Sequence, residues 1–255
     1  MNNKRVIPAL LLKGEGFFKT TKFKNPSYIG DPINAIKIFN DKEVDEIMVL
    51  DIEASKIMKK PNFDLIANFS SECFMPLTYG GGISSLRDIE KLFSIGVEKV
   101  CLQSLVFDNL NLLKEMIYNF GSSSIVVSLD VKKNFFSSYK VFEHRKNKIN
   151  SVFSLEELLS IFNEIGVGEV LLNNVDLDGT MNGPDQELIR YVSRELSSPV
   201  VALGGVGSKE DLKECFENGA SAVAAGAFFV YHGPHRAVLI SYPSREDFDY
   251  IFGLG

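Results

Sequence analysis

Short apolar runs rich in β-branched residues alternate with amphipathic stretches along the whole 255-residue chain. The runs lie at 6–12, 46–50, 75–79, 99–102, 125–129, 169–172, 200–203 and 222–225. Most are continuous in hydrophobicity rather than alternating, which predicts parallel strands buried on both faces. Between the runs, a serine stands three positions before a carboxylate at Ser85 and Asp88, Ser154 and Glu157, Ser208 and Asp211, and Ser244 and Asp247. Each pair predicts a helix N-terminus, with the hydroxyl as cap and the carboxylate reaching back. Eight strand-then-helix units in succession predict a closed (β/α)8 TIM barrel, one domain over residues 1–255, rather than an open doubly wound sheet.

The chain also matches itself at a constant offset of 123 residues. Ile38, Phe39 and Asn40 fall on Ile161, Phe162 and Asn163; Val44 falls on Val167 and Glu46 on Glu169. Further on, Gly81 and Gly82 fall on Gly204 and Gly205, Ser85 on Ser208, Asp88 on Asp211, Phe93 on Phe216, Gly96 on Gly219 and Val100 on Val223. One offset without insertions, spanning strands two to four and six to eight, implies two related half-barrels.

Composition narrows the function classes. Net charge is -6, and no stretch is basic enough to follow a nucleic-acid backbone, so no nucleic-acid partner is expected. The longest apolar stretches, such as 222–230, are too short to span a bilayer, and the apolar run at 6–12 is too short for a secretory leader. Cys73, Cys101 and Cys215 are scattered, an arrangement of free thiols rather than a disulfide framework. A cytoplasmic protein is expected. His144, His232 and His235 lack the further ligands of a zinc site, so neither metal nor cofactor is expected.

Glycine clusters carry the candidate chemistry. Gly80 to Gly82 follow the third strand, and Gly204 and Gly205 follow the seventh. Glycine lets backbone N–H groups approach an oxyanion without an intervening Cβ. Gln103 and Ser104 follow the fourth strand, Gly226 and Ala227 the eighth, where a short helix N-terminus would complete each cup. The loops after strands seven and eight hold phosphate in many barrels. Duplication places a second pair opposite, which points to a ligand with a phosphate at each end. Tight βα turns alone also account for glycine at these positions.

The stretches Lys4-Arg5-Val6-Ile7-Pro8, Gly30-Asp31-Pro32, Leu50-Asp51-Ile52 with Ala54-Ser55, Gly80-Gly81-Gly82-Ile83, and Asp176 with Asp178-Gly179-Thr180 resemble one family over nearly the whole chain. It is the cyclase subunit of imidazole glycerol phosphate synthase, a histidine-biosynthesis barrel. The resemblance implies a barrel that takes ammonia from a glutaminase subunit docked on its N-terminal face. Ammonia then passes along the axis to a phosphorylated small molecule at the C-terminal face. The family's charged ring at the ammonia entrance corresponds to Arg5, Glu46, Lys99 and Glu169, all present here. Charges at strand starts are also common as ordinary surface residues. The loop lysine Lys19, the carboxylate Asp178 with Gly179, and the strand-five aspartate Asp130 are retained as well.

Other positions depart from the family. Its strand-one aspartate, the partner of Asp130 in acid–base catalysis, is Leu11. Leucine cannot transfer a proton, and positioned proton transfer is typically worth about 10²–10⁴ in rate. The family's Asn-Thr after strand four is Gln103-Ser104, its Ala-Ser after strand eight is Gly226-Ala227, and a threonine near the end of strand two is Glu53. The Leu10-Leu11-Leu12-Lys13 variant and the ending with His232, His235, Arg236 and Tyr242 resemble family members encoded beside surface-polysaccharide or flagellin-sugar genes. That resemblance implies ammonia supply to a separate sugar amidotransferase. His232, His235 and Arg236 are candidates either for binding an anion or third partner, or for capping the barrel rim. The alternatives are a true cyclase with another proton donor, such as Glu53, and a scaffold that only activates the glutaminase.

Overall fold

The computed structural model describes residues 4–253. Strand β1 (Arg5–Lys13) runs into an antiparallel hairpin, β2 (Gly16–Thr21) and β3 (Lys24–Gly30), before helix α1 (Pro32–Asp41). Then come β4 (Ile47–Asp51), α2 (Phe63–Ser70), β5 (Leu77–Gly80), α3 (Leu86–Ser94) and β6 (Lys99–Leu102). A short helix α4 (Ser104–Asp108) precedes α5 (Leu110–Phe120). Strand β7 (Ile125–Lys133) likewise runs into an antiparallel extension, β8 (Tyr139–Glu143) and β9 (Lys148–Ile149), before α6 (Leu155–Ile165). The second half continues with β10 (Glu169–Asn174), α7 (Gln186–Glu195), β11 (Val200–Leu203), α8 (Lys209–Glu217) and β12 (Ala222–Ala225). It ends with the short α9 (Ala227–Val230), a small hairpin of β13 (Tyr231–His232) and β14 (Ala237–Val238), and α10 (Arg245–Phe252).

Eight parallel strands close on themselves in the order β1, β4, β5, β6, β7, β10, β11, β12 and back to β1. The expected barrel is therefore present. The 123-residue offset carries β5 onto β11, β6 onto β12 and α3 onto α8 at both ends of each element, and sets the starts of α4 and α9 in register. Strand β7 runs to Lys133, past the expected end at 129, because Asp130 and Val131 still pair with β10 and Val131 to Lys133 pair with β8.

Two apolar layers result from strands buried on both faces. One lies between barrel and helices; the other fills the barrel with Ile7, Met48, Cys101, Val126, Leu171, Val201 and Ala224 among others. All four expected serine caps are in place. Ser154, Ser208 and Ser244 form reciprocal boxes with Glu157, Asp211 and Asp247. Ser85 accepts from Asp88 N–H, but the Asp88 carboxylate turns to Ser84 and Lys60, so that box is one-sided. All three cysteines are free thiols. Among the described residues, no helix is long and apolar enough to cross a membrane.

Candidate functional site

Strand starts build the floor of the barrel. Arg5 on β1 bridges Glu46, just ahead of β4, and Glu169 on β10. Lys99 on β6 closes the ring from the other side, its Nζ 3.1 Å from Glu46 and 3.4 Å from Glu169. Thr78 on β5 donates to Glu46 Oε1 at 2.9 Å. The two carboxylates are buried and the two cations only partly so. Burial opposes the charge on Arg5, yet Glu169 and Glu46 together raise its pKa above the ordinary guanidinium value. These residues are a closed ring, not scattered surface charges; buried carboxylates require such partners. On the same N-terminal side, Phe74 in the α2–β5 connection and Tyr118 near the end of α5 are 86 % and 89 % exposed.

The strand ends build the mouth. Going round, its cavity is lined by Leu11, Leu50, Gly80, Gln103, Asp130, Asn173, Leu203 and Gly226. Register identifies the counterpart of Asp130. Leu11 pairs with Leu50, Asp130 pairs with Asn173, and Leu50 and Asn173 are related by the 123-residue offset. Leu11 and Asp130 are thus equivalent positions, as the sequence implied. The polar residues Gln103, Asp130 and Asn173 form one arc; Leu203, Leu11 and Leu50 lie on the opposite one.

Asp130 is buried. It accepts from Gln103 Nε2 at 2.5 Å and from Asn173 Nδ2 at 3.3 Å. Burial raises its pKa to about 7, the nearby Asp178 charge adds to the rise, and the two amide donors oppose it. Such a carboxyl exchanges its proton near neutrality, which suits acid–base work or the holding of a polar ligand. Lys19 and Asp178 form a buried pair at 3.0 Å beside it, and Thr20 Oγ1 is 3.4 Å from Asp178.

The two hairpin extensions roof this cavity. Thr21 pairs with Lys24 across a two-residue turn, Lys22-Phe23, in which both residues have positive φ. That backbone is costly for side chains other than glycine, Asn or Asp. The turn aims Phe23 edge-on at Phe142 and His144 of the other extension. His144 N–H donates to Gln103 Oε1 at 3.1 Å, and its Nε2 donates to Ile52 O at 3.1 Å. Desolvation lowers its pKa to about 4, with the Lys56 charge contributing, so the ring is neutral. Gln103 therefore ties Asp130 to the roof. None of Phe23, Gln103 as a bridge, His144 or Asn173 in this role was legible in spacing, because each contact joins loops distant in sequence.

The glycine clusters have positive φ at Gly81, Gly82, Gly204 and Gly205. A Cβ on Gly81 would stand 2.6 Å from Asp51 O, and one on Gly205 2.0 Å from Gly183 O. Turn geometry alone therefore requires glycine there. Gly82 N–H donates to Ser55 Oγ at 3.2 Å, occupying one donor of the first cup. In the second cup the Lys19 stem lies against Gly226. Ser104 and Ala227 begin α4 and α9 as expected. Gly179 packs under the first hairpin, where a Cβ would meet Thr20 O at 2.2 Å.

Glu53 pairs with Lys13 at 3.2 Å and is not among the cavity-lining residues, which weakens its candidacy as a substitute proton donor. Arg236 donates to the carbonyls of Gly179 and Thr180, so it clamps the rim, while His232 and His235 are exposed. Among the described residues no cluster of three or more His, Cys, Asp or Glu could hold a metal ion.

The geometry defines a class: a duplicated (β/α)8 barrel with a charged floor and a mouth carrying strand-end polar groups. The chain belongs to the histidine biosynthesis protein family, whose model matches residues 5–235. It is 48 % identical over 250 residues to a Pseudomonas aeruginosa protein provisionally named imidazole glycerol phosphate synthase subunit hisF2, covering 98 % of this chain and 99 % of that one. A Leptospira interrogans protein, provisionally named subunit HisF, is 46 % identical over 97 % of this chain and 98 % of its own. Helicobacter hepaticus imidazole glycerol phosphate synthase subunit HisF is 37 % identical, covering 89 % of this chain and 90 % of that one.

Proposed function

We propose that this chain is the ammonia-delivering subunit of a glutamine-dependent amidotransferase, supplying ammonia for amidination of a surface-polysaccharide or flagellin sugar. The observation that carries the reading is an intact charged floor beneath a mouth whose second strand-end carboxylate is Leu11. The floor suits admission of a small polar molecule from a glutaminase docked on the N-terminal face, where Phe74 and Tyr118 are exposed. The mouth lacks half of an acid–base pair, which disfavours ring closure. The higher identity to the two provisionally named relatives, 48 % and 46 %, than to the plainly named subunit at 37 % agrees with a specialised branch. In this reading Arg5, Glu46, Lys99 and Glu169 gate ammonia, while Asp130, Asp178 and Lys19 line its exit. A sugar amidotransferase is the third component, and the glycine cups are the place for phosphate groups of a ligand. The work takes place in the cytoplasm.

Deleting the gene tests this. The expected strain grows without histidine and carries surface sugars that lack the amidino group. A histidine requirement cured by the gene, or ordinary enzymatic turnover of the family's bis-phosphate substrate with ammonia by the purified chain, overturns the reading. A scaffold that only activates the glutaminase would instead release all ammonia to an external trap.

A further inference from the structure

The roof over the mouth ends in an aromatic pair that the core does not bury. Phe135 and Phe136 form the tip of the β7–β8 hairpin, 96 % and 80 % exposed, and their rings meet edge-on at 5.6 Å. The tip is braced. Asn134 Oδ1 accepts from the N–H groups of Phe136 and Ser138, Ser138 O accepts from Asn134 N–H, and Ser137 turns the chain at φ +58°. Below it, Tyr139 donates to Asp185 at 2.8 Å and Lys133 N–H to Asp176 at 3.0 Å, which ties the hairpin to the connection between β10 and α7. Aromatic side chains held out in one geometry lose little freedom on docking, and such anchors carry much of the energy of protein interfaces. Ile57 and Met58 after β4, and Val238 and Leu239 at the rim hairpin, are exposed on the same C-terminal face.

Charge narrows the occupant. The two roof hairpins, segments 14–30 and 131–149, carry nine Lys or Arg against two Glu, in a chain of net charge -6. Five of the nine pair with carboxylates of the same face. Among the described residues, Lys22, Lys24, Lys140 and Lys148 are exposed and make no ion pair. A second copy of this chain would set like charges against each other. A bilayer accepts basic and aromatic tips, but it would cap the mouth without using what leaves it.

We propose that this rim docks the enzyme that consumes the ammonia, through a surface with an apolar pocket for Phe135 and Phe136 and carboxylates facing the hairpin lysines. The proposal rests on the ammonia-delivery reading and gives its third component a place. Ammonia released into neutral water is protonated and loses its nucleophilic lone pair, so a consumer seated over the exit keeps it usable.

The test begins with p-benzoylphenylalanine at position 136 of the full chain, irradiated in its own cells, and mass spectrometry of whatever it captures. The expected adduct is an enzyme recognised by its own turnover with ammonium chloride. Once purified, that enzyme binds the chain, and Phe135→Ser with Phe136→Ser weakens the affinity at least about thirtyfold, the ~2 kcal/mol of one dominant interface residue. Raised salt also weakens it, while Ile38→Ser, on the exposed face of α1, leaves it unchanged. An adduct with any other protein, a second copy included, or with none, overturns the proposal. So does unchanged affinity in the double variant. Vesicles of phosphatidylglycerol and phosphatidylethanolamine form the last arm: sedimentation of the wild type with them, lost in the double variant, assigns the tip to a membrane and overturns the proposal. Docking is read here without ammonia transfer. An ammonia-using enzyme seated on the tip that takes nothing from glutamine through the complex refutes the delivery reading alone. A deletion strain lacking the amidino group, in which the tip meets no such enzyme, refutes the docking alone.

Discussion

The Asp130 carboxyl gives the chain a pH dependence whose sign follows from its surroundings. Its folded pKa is about 7, raised first by burial and then by Asp178. An unfolded aspartate titrates near ~3.9. Between those values the folded state holds a proton that the unfolded chain has released. Stability therefore falls as pH rises from ~4 to ~7 and stays low above that. At about 1.4 kcal/mol per pH unit, the interval between the two values amounts to a penalty on the order of 4 kcal/mol at alkaline pH. Asp130→Asn removes the titration. Its amide faces Gln103 and Asn173, both donors, so a constant offset is expected, but the slope is lost. The assay is urea unfolding at a series of pH values, read as the wild type minus the variant. Asp45 and Asp51 are also raised by burial, and this subtraction cancels their shared contribution. The difference should change steadily from mildly acid to neutral pH, with the variant gaining relative to wild type. A flat difference across that window would refute the reasoning.

Further outcomes follow from the floor, the loops and the rim. Lys99→Met leaves the two buried carboxylates with Arg5 as their one cation and should destabilise by about 3 kcal/mol in denaturant melts, whereas Lys114→Met, at an exposed pair with Glu164, should be near neutral. Gly205→Ala places a Cβ 2.0 Å from Gly183 O at φ +98° and should cost at least about 2 kcal/mol; Gly30→Ala, with nothing within 4 Å, is the tolerated control. Arg236→Ala removes two donors from the Gly179 and Thr180 carbonyls and should speed amide exchange at Lys22, whose N–H bonds to Asp178 O, with at most about 2 kcal/mol lost globally.

The barrel was legible because its signals are local and repeated. Strand hydrophobicity and serine caps each act within a few residues, the 123-residue offset repeats them, and all reappear in the fold. The floor was legible by resemblance, and its four residues meet as one ring. The roof was not. His144 counted only as a poor zinc ligand, yet it latches the second hairpin through Gln103 and Ile52. The Phe23 position depends on two consecutive left-handed residues without glycine, which turn preferences do not anticipate. Asn173 likewise gains meaning only from its register opposite Asp130.

That register changes what Leu11 means. Taken alone, it is a missing acid or base. Its strand partner is Leu50, and the repeat counterparts of the two are Asp130 and Asn173. Both members of the first-half pair are hydrocarbon, and both members of the second are polar. Leu50 lies in a stretch shared with the family, so within this pair the departure from the family is at position 11. Desolvation is the largest cause of the raised Asp130 pKa, and with leucine at position 11 the nearby carboxylate that adds to the rise is Asp178. Because Leu50 stands in that shared stretch, Leu11→Asp restores the family's strand-end arrangement on β1 and β4, while Gln103-Ser104 and Gly226-Ala227 still depart from it after the fourth and eighth barrel strands, so that substitution should not by itself recover ring closure. Turnover of the cyclase substrate by Leu11→Asp at ordinary enzymatic rates would show that position 11 is the decisive lesion.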